Sequence, residues 1–371
     1  MKKLKTAFSV FLCLMLLLGN IPFQKADAAN SPSAYVALGD SITAGYGLAS
    51  FDRGDAGNKT SEKNFVTRLG KKLGMKTTNF GVEGQDTSML LKSISKPSTA
   101  DEKSAVAQIK KAGILTISIG GNNVLWPVLD TLNERIGGGK TIYNAEKAEI
   151  QSAALGLLLN QEAMKALQKK VEEGVTRFTG NAQLKKSGEF SSIISTLKKL
   201  NPKAKIIVQT VYNPYKSIMP QEFDNAIKAI NSEIMKGSLN GENYLVADVY
   251  AAFSQAAPGT QLVNADMVTS FDPHPTAKGH EVIYTLAAYA ANNTLPYKVN
   301  AIITKGRLKT GIEDGQLVLT VLPAAGYKAA ASIWLTIGKG QRRLLTLKDA
   351  SVTVPIAAVD ADIYVSGICK K

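Results

Sequence analysis

The chain has 371 residues, 45% of them hydrophobic, which is enough for one large domain with a packed core and a smaller second domain. Its 44 Lys and Arg residues exceed its 30 Asp and Glu residues, for a formal net charge of +14. The basic residues are scattered along helical patterns and form no dense run with interleaved aromatic residues, which excludes an ordinary nucleic-acid-binding protein. The charge favours contact with anionic surfaces.

Residues 1–29 have the pattern of a Sec-type signal peptide. Lys2, Lys3 and Lys5 precede an apolar run at 7–18, and small residues at 26–29 form a cleavage site. The run is shorter than the roughly 20 residues that a transmembrane helix needs, and no later stretch is apolar for long enough. We therefore expect a secreted protein with no transmembrane segment in its mature chain. Its one remaining cysteine, Cys369, is expected at a frayed terminus.

The first predicted strand leads into a candidate nucleophile. Apolar residues at 34–38 predict a buried strand, and Gly39 allows a tight turn that leaves Ser41 at the carboxyl end of the strand. Open α/β sheets bind their ligands at this edge. A serine there is a candidate nucleophile if a base and oxyanion donors converge on it.

Two further strand ends supply candidate oxyanion donors. A helix at about 62–73 and a strand at 76–80 lead to a loop that contains Gly84, whose N–H either approaches a ligand or belongs to an ordinary turn. A β-branched strand at 114–119 ends in two glycines followed by Asn122 and Asn123. An asparagine amide donates well to an oxyanion, and it also caps helices, so both roles stay open for this pair.

The middle of the chain predicts helices and then two more strands. Residues from about 126 to 200 are mostly helical and suggest an inserted subdomain, either a cover for the site or additional scaffold. Strands at 204–210 and 244–247, with a helix between them, continue the alternation. Alternating strands and helices predict a doubly wound, mainly parallel sheet.

Both histidines of the chain follow the fifth predicted strand. His274 is preceded by Asp272 and stands just before a predicted helix at 276–291. A serine nucleophile needs such a base with a carboxylate to orient it. His280 is a rival base, but it falls inside that helix, so we interpret it as a packing residue.

These blocks together resemble the GDSL/SGNH hydrolase family. The matching motifs are Gly-Asp-Ser at 39–41, Asn-Phe-Gly-Val-Glu-Gly at 79–84, Gly-Gly-Asn-Asn at 120–123 and His-Pro at 274–275. The resemblance covers about residues 33–292. It implies a flavodoxin-like three-layer α/β/α sandwich with a five-stranded parallel sheet. It also implies hydrolysis of carboxylic esters through an acyl-enzyme, with no cofactor and no metal.

The resemblance assigns roles residue by residue. Ser41 becomes the nucleophile, His274 the base and Asp272 the group that orients it. The oxyanion donors become the N–H groups of Ser41 and Gly84 and the side chain of Asn122. The sequence departs from the family in two places. Asn123 stands where the family has Asp, and Asp272 lies two residues before the histidine instead of three, with a proline between them.

Residues 298–371 differ in texture from the hydrolase-like region at 30–297. Short strand patterns between Gly, Pro and Asp turns predict a small β-rich domain, which holds eleven Lys and Arg against five Asp and Glu. It is either a structural appendage or an attachment to an anionic cell wall. Lipid esters, short acyl esters and O-acetyl groups on wall polymer or polysaccharide are all open as substrates. A wall- or glycan-binding protein with a degenerate hydrolase domain is the non-enzymatic alternative.

Overall fold

The computed structural model describes residues 34–49, 51, 61–142, 144–215, 222–238, 244–265 and 272–371. The predicted signal peptide at 1–29 lies outside these residues. Within the described ranges, no helix is both long and apolar enough to cross a membrane.

The core of the first part is a five-stranded parallel sheet. The described residues of this part contain seven strands: β1 (Ala34–Gly39), β2 (Lys76–Gly81), β3 (Ile114–Ser118), β4 (Gly180–Asn181), β5 (Lys186–Ser187), β6 (Lys205–Gln209) and β7 (Leu245–Ala247). β4 and β5 pair only with each other, and the remaining strands follow the order β2-β1-β3-β6-β7. This is the strand order of flavodoxin-like sheets, so the predicted fold class is confirmed.

Helices cover both faces of this sheet. They are α1 (Ser41–Ala44), α2 (Phe65–Leu73), α3 (Thr87–Ser95), α4 (Ala100–Ile109), α5 (Gly121–Ile136), α6 (Lys147–Leu158), α7 (Gln161–Thr179), α8 (Glu189–Leu200), α9 (Glu222–Ser238), α10 (Val249–Ser254) and α11 (Ala277–Asn292). Side chains alternate along β1 between two core clusters: Tyr35 and Ala37 belong to one, Val36 and Leu38 to the other. This alternation makes the sheet the middle of three layers.

The sheet aligns the strand ends on which the site is built. Gly39 pairs with Gly81 of β2 and with Ser118 of β3, so these three strands end at one level. The segments that follow them, which carry Ser41, Gly84 and Asn122, therefore leave the sheet at the same edge.

Helices α5 to α8 occupy the region in which we predicted an inserted subdomain at about 126–200. Leu157, Leu167 and Phe178 of these helices belong to the same buried cluster as Val36 and Leu38 of the sheet. The segment thus shares its core with one face of the sheet. Its role as a cover stays a prediction.

The C-terminal part forms two small sheets, as the strand patterns predicted. Its strands are β8 (Val299–Thr304), β9 (Gly306–Glu313), β10 (Gln316–Pro323), β11 (Ser332–Ile337), β12 (Arg343–Thr346), β13 (Ser351–Pro355) and β14 (Ile363–Ile368). They pair in the orders β13-β10-β9 and β12-β11-β14-β8. Buried residues of both sheets, such as Leu319 and Leu335, lie in one cluster with Val282 of α11. This part therefore packs on the first and shares its core.

The expectation of a frayed C-terminus around Cys369 was wrong. The side chain is only 3% exposed, and the Cys369 N–H donates to the Thr304 carbonyl at 3.0 Å. The side chain belongs to the buried cluster that the C-terminal sheets share with α11.

Candidate active site

A sharp turn after β1 fixes the position of Ser41. Gly39 has φ +131°, and a Cβ built on it would lie 2.0 Å from the Ser118 carbonyl oxygen, so only glycine fits. The Asp40 N–H donates to that same oxygen at 3.0 Å. The Asp40 carboxylate accepts the Ile42 N–H at 3.0 Å and thereby caps α1. Ser41 is thus the first residue of a short helix at the carboxyl edge of the sheet.

The Asp40 carboxyl group is buried directly beside this serine. Its Oδ1 accepts the Ser118 hydroxyl at 2.8 Å, and the residue is 3% exposed. Burial raises the pKa of Asp40 to about 6, against the opposing effects of hydrogen bonds from Ser118 and Ile42 and of the charge on His274. The charge of this carboxyl group therefore changes close to neutral pH.

We expect Asp40→Asn to flatten the pH dependence of stability. An Asp in an unfolded chain ionises near pH 3.9, whereas burial raises the pKa of folded Asp40 to about 6. The folded state thus binds this proton more tightly than the unfolded chain does. The resulting stabilisation of the fold is fully present below about pH 4 and is lost as the pH rises through about 6. A shift of this size corresponds to about 3 kcal/mol.

Urea unfolding of wild type and Asp40→Asn between about pH 4 and 7 measures this effect, because Asn keeps the Ile42 contact but does not ionise. The variant should gain stability relative to wild type as the pH rises. Parallel pH profiles would contradict the assignment.

Asp272 contacts His274 despite the short spacing between them. The Asp272 Oδ1 binds the ring Nδ1 of His274 and also accepts its backbone N–H at 3.1 Å. A carboxylate that accepts the N–H two residues later closes an Asx-type turn, and Pro273 between them suits such a turn. The two-residue spacing is therefore compatible with a carboxylate–imidazole pair.

A second contact holds the carboxylate from the other side, since Asn264 Nδ2 donates to Asp272 Oδ2 at 3.0 Å. Burial disfavours ionisation of Asp272, but the hydrogen bonds from the His274 ring and backbone and from Asn264 outweigh it. The pKa of Asp272 accordingly lies below its usual range. The group that faces the imidazole is a carboxylate at neutral pH.

Neighbouring backbone fixes the loop that carries His274. The Asn264 N–H donates to the His274 carbonyl at 2.9 Å, and the Thr276 N–H donates to the Leu262 carbonyl at 2.9 Å. The Tyr212 hydroxyl donates to the carbonyl of the residue before His274 at 2.6 Å. These hydrogen bonds therefore hold the loop that carries the imidazole in place, just before α11.

The structure brings the serine and the histidine together. The Nε2 of His274 lies 2.8 Å from the Oγ of Ser41. With Asp272 on Nδ1, the three side chains form one hydrogen-bonded chain from carboxylate to hydroxyl. This is the arrangement that nucleophilic catalysis by serine requires.

The two other predicted site residues lie on neighbouring segments. Asn122 is 6% exposed, and its Nδ2 donates to the Gln85 carbonyl at 3.0 Å, one residue after Gly84. Gly84 has φ +73°, and a Cβ on it would lie 2.6 Å from Cζ2 of Trp126. The Trp126 indole also donates to the Gly84 carbonyl at 2.8 Å. The loop after β2 is therefore fastened to the first turns of α5.

Asn123, where the family has Asp, has a different task. Its Oδ1 accepts the Thr87 N–H at 3.2 Å, and its Nδ2 donates to the Thr87 hydroxyl at 2.7 Å and to the Gly174 carbonyl at 3.3 Å. This fully buried side chain connects α3, α5 and α7. Of the two adjacent asparagines, Asn122 therefore lies beside the Gly84 loop, whereas Asn123 has a structural role.

His280 lies in the core. It is fully buried, its Nδ1 accepts the Phe65 N–H at 3.4 Å, and its ring stacks on the Phe65 ring. Burial, together with the charges of His274 and Arg68, lowers the pKa of His280 to about 3, so the imidazole stays neutral.

Comparison with known proteins identifies the family. The sequence model of the GDSL-like lipase/acylhydrolase family matches residues 37–282. The chain belongs to this family. It is accordingly an ester hydrolase of the lipase/esterase type, as the motifs predicted. Comparison with curated proteins gives no match.

Several solved structures are similar to this GDSL-family chain. A phospholipase A1 from Streptomyces albidoflavus is 19% identical, over 70% of this chain and 99% of that one, with a TM-score of 0.45. An extracellular lipase from Streptomyces rimosus is 19% identical, over 70% and 99%, with a TM-score of 0.46. An acetylxylan esterase from Geobacillus stearothermophilus is 17% identical, over 69% and 92%, with a TM-score of 0.39.

This GDSL-family chain has a polar groove of about 660 Å³ on the side of Trp126. It runs between α5 and α7, and its lining includes Trp126, Asp86, Asp130, Lys170 and Arg177. One lining residue, Trp126, also contacts Gly84 of the site through its indole N–H. Among the described residues, no group of three or more His, Cys, Asp and Glu side chains is arranged to hold a metal ion.

Three residues of this environment were missed from the sequence. Asn264, which donates to Asp272, follows Val263, and Val263 forms an isolated β-bridge with Pro275. A single bridge of this kind leaves no recognisable pattern in the sequence. Tyr212 follows the predicted strand at 204–210, and Trp126 begins the predicted helical region. Their positions depend on contacts between segments far apart in the chain, so no sequence signal pointed to these roles.

Proposed function

We propose that Ser41 attacks the carbonyl carbon of a carboxylic ester and forms an acyl-enzyme. The 2.8 Å contact between Ser41 Oγ and His274 Nε2 carries this proposal. His274 takes the hydroxyl proton as the new C–O bond forms, and it gives that proton to the departing alcohol when the old ester bond breaks. Water then attacks the acyl group with the same histidine as base, which releases the acid and restores Ser41.

Asp272 acts as the orienting group in this proposal. Its contact with Nδ1 favours the tautomer that carries a proton there, which leaves the lone pair of Nε2 facing Ser41. The carboxylate also stabilises the imidazolium that forms after proton transfer. The low pKa of Asp272 supports this role, since an ionised carboxylate is needed.

Three donors stabilise the oxyanion in the proposed mechanism: the N–H groups of Ser41 and Gly84, and the amide of Asn122. An asparagine amide has two N–H bonds, and one of those of Asn122 is directed to the Gln85 carbonyl. The other is assigned to the oxyanion. A neutral amide held in this way needs no reorganisation when charge develops on the substrate oxygen.

Asn122→Ala is expected to lower kcat by about 10²–10³, since one oxyanion donor contributes about 2.7–4 kcal/mol. KM and the unfolding temperature should change little, because the side chain makes one described hydrogen bond, to Gln85. Hydrolysis of p-nitrophenyl acetate measures the effect.

Asn123→Ala is the matched control for this experiment. Its three hydrogen bonds join separate helices, so this variant should lose stability instead. Equal losses of kcat in the two folded variants would remove Asn122 from the oxyanion site.

The polar groove beside Trp126 supports a polar alcohol part in the substrate. Its charged lining suits hydroxyl-rich or headgroup-like chemistry better than a long acyl chain. Lipid esters with polar headgroups and O-acyl glycans both meet this description. Initial rates across p-nitrophenyl esters of increasing acyl length, a glycerophospholipid and an acetylated polysaccharide test it. Activity confined to esters with an apolar alcohol part would contradict it.

The chain is proposed to act outside the cytoplasm. The support is the pattern of lysines, apolar run and small residues at 1–29. Mass spectrometry of the protein from culture medium should find a new N-terminus near residue 30. An uncleaved chain retained in the cells would overturn this part of the proposal.

A further inference from the structure

The four-stranded sheet of the C-terminal part has one buried and one exposed side. Along β11, Ile333 and Leu335 are fully buried, whereas Trp334 between them is 40% exposed. The register pairs Trp334 with Leu344 of β12 and with Ser366 of β14, and Ser366 with Ile302 of β8. One row of side chains therefore crosses all four strands on the exposed side.

Five large apolar residues stand on this side, among polar residues of the same strands. Tyr364 and Ile368 stand two residues before and after Ser366, and alternation along a strand puts them on the same face. Exposed fractions are 74% for Ile302, 66% for Ile368, 55% for Leu344 and 49% for Tyr364. We call Ile302, Trp334, Leu344, Tyr364 and Ile368 the outer face. Of the twelve large hydrophobic side chains exposed among the described residues, five belong to it, so the exposure is concentrated.

A cationic side chain, Arg342, lies against the outer face. None of the strands β8, β11, β12 and β14 contains Asp or Glu. The Arg342 guanidinium lies 4.6 Å from the centre of the Trp334 ring, and its Nη2 donates to the Ser366 hydroxyl at 3.3 Å. Residues 298–371 as a whole carry eleven basic and five acidic side chains. Exposed apolar side chains with a cation beside them thus point to an amphipathic, anionic partner.

We propose that the outer face binds the surface of an anionic phospholipid bilayer. Aliphatic side chains enter the acyl boundary, Trp and Tyr rings suit the headgroup level, and Arg and Lys pair with lipid phosphates. A glycan fits less well, because Arg342 covers the Trp334 ring on which a sugar would stack. A second copy of the chain brings the same positive charge to the contact.

Vesicle sedimentation of the full chain tests this binding. The vesicles contain dialkyl ether phosphatidylglycerol and phosphatidylcholine in equal amounts, so that an esterase cannot degrade them. The chain should bind these vesicles, bind pure ether phosphatidylcholine at least about tenfold more weakly, and dissociate as salt screens the charges.

The decisive variant is the triple substitution Ile302→Thr, Leu344→Ser and Ile368→Thr. It should weaken vesicle binding by about tenfold or more, because three exposed apolar side chains no longer enter the bilayer. The matched control is the triple substitution Leu155→Ser, Leu159→Ser and Leu184→Ser, at side chains that are 58%, 76% and 74% exposed elsewhere. The control should bind as wild type does. Both triple variants should hydrolyse p-nitrophenyl acetate normally, which separates this result from the fate of the proposed ester hydrolysis.

Trp334 provides an independent readout. The chain has two tryptophans, so Trp126→Phe leaves Trp334 as the sole indole fluorophore. Its emission should shift to shorter wavelength on addition of the phosphatidylglycerol vesicles. Any one of four results would overturn the proposal: no vesicle binding by wild type, equal loss in both triple variants, binding to purified anionic wall polymer but not to vesicles, or a dimer in sedimentation velocity that only the outer-face variant abolishes.

Discussion

Ser41→Ala should abolish ester hydrolysis and leave the fold intact. Loss of the nucleophile in a serine hydrolase costs about 10⁴–10⁶ in kcat, because oxyanion donors and substrate binding still supply the remaining rate enhancement. The hydroxyl of Ser41 has one described side-chain contact, to His274, so its removal should change the free energy of unfolding by only about 1 kcal/mol. Turnover of p-nitrophenyl acetate and the thermal unfolding temperature measure the two effects.

Covalent labelling gives this prediction a second readout. A fluorophosphonate should label the wild-type chain once, at Ser41, and Ser41→Ala should not react. Ser93→Ala is a suitable control, since its hydroxyl bonds only locally, to the Leu90 carbonyl in α3. Full labelling of Ser41→Ala would show that the nucleophile is another residue. A wild-type chain that neither labels nor turns over esters would favour the alternative of a binding protein with a degenerate hydrolase domain.

The sheet and its site edge were predictable because each rests on local patterns. β3 is an apolar, β-branched run of five residues, and it is followed by Gly120, which takes φ +110° at the start of α5. Its short length, its β-branched residues and the glycines after it favour a buried strand with a tight exit. The same holds for β1 and Gly39. Since parallel strands end at one edge, three motifs read separately in the sequence fall side by side.

The spacing of Asp272 and His274 was not decidable from the sequence. A carboxylate two residues before a histidine reaches the ring only if the backbone between them turns. That turn is held by Asn264 and Tyr212, which lie 8 and 61 residues from the residues they contact. The sequence also did not predict that Val282 shares one core with the C-terminal sheets. A strand pattern shows that one face of a sheet is buried, but it does not show which surface packs against that face.

His274→Gln is the second variant with a large expected effect. Glutamine cannot take a proton from Ser41, so kcat should fall by about 10⁴ or more while substrate binding persists. His274→Gly removes the ring and opens space beside Ser41 and Asp272, so added imidazole should restore part of its activity. Rescue of this kind requires an imidazole that acts at the site, which a purely structural histidine would not explain.

His280→Gln separates the two histidines. His280 is buried against Phe65, and the low pKa of its ring keeps it neutral at neutral pH. Its variant should lose thermal stability, because a core side chain changes shape, yet the folded fraction should turn over p-nitrophenyl acetate at nearly the wild-type rate. Activity measured per folded molecule is therefore the deciding quantity. If His280→Gln is inactive while folded and His274→Gln is active, the base has been assigned to the wrong residue, and the 2.8 Å contact with Ser41 is not catalytic.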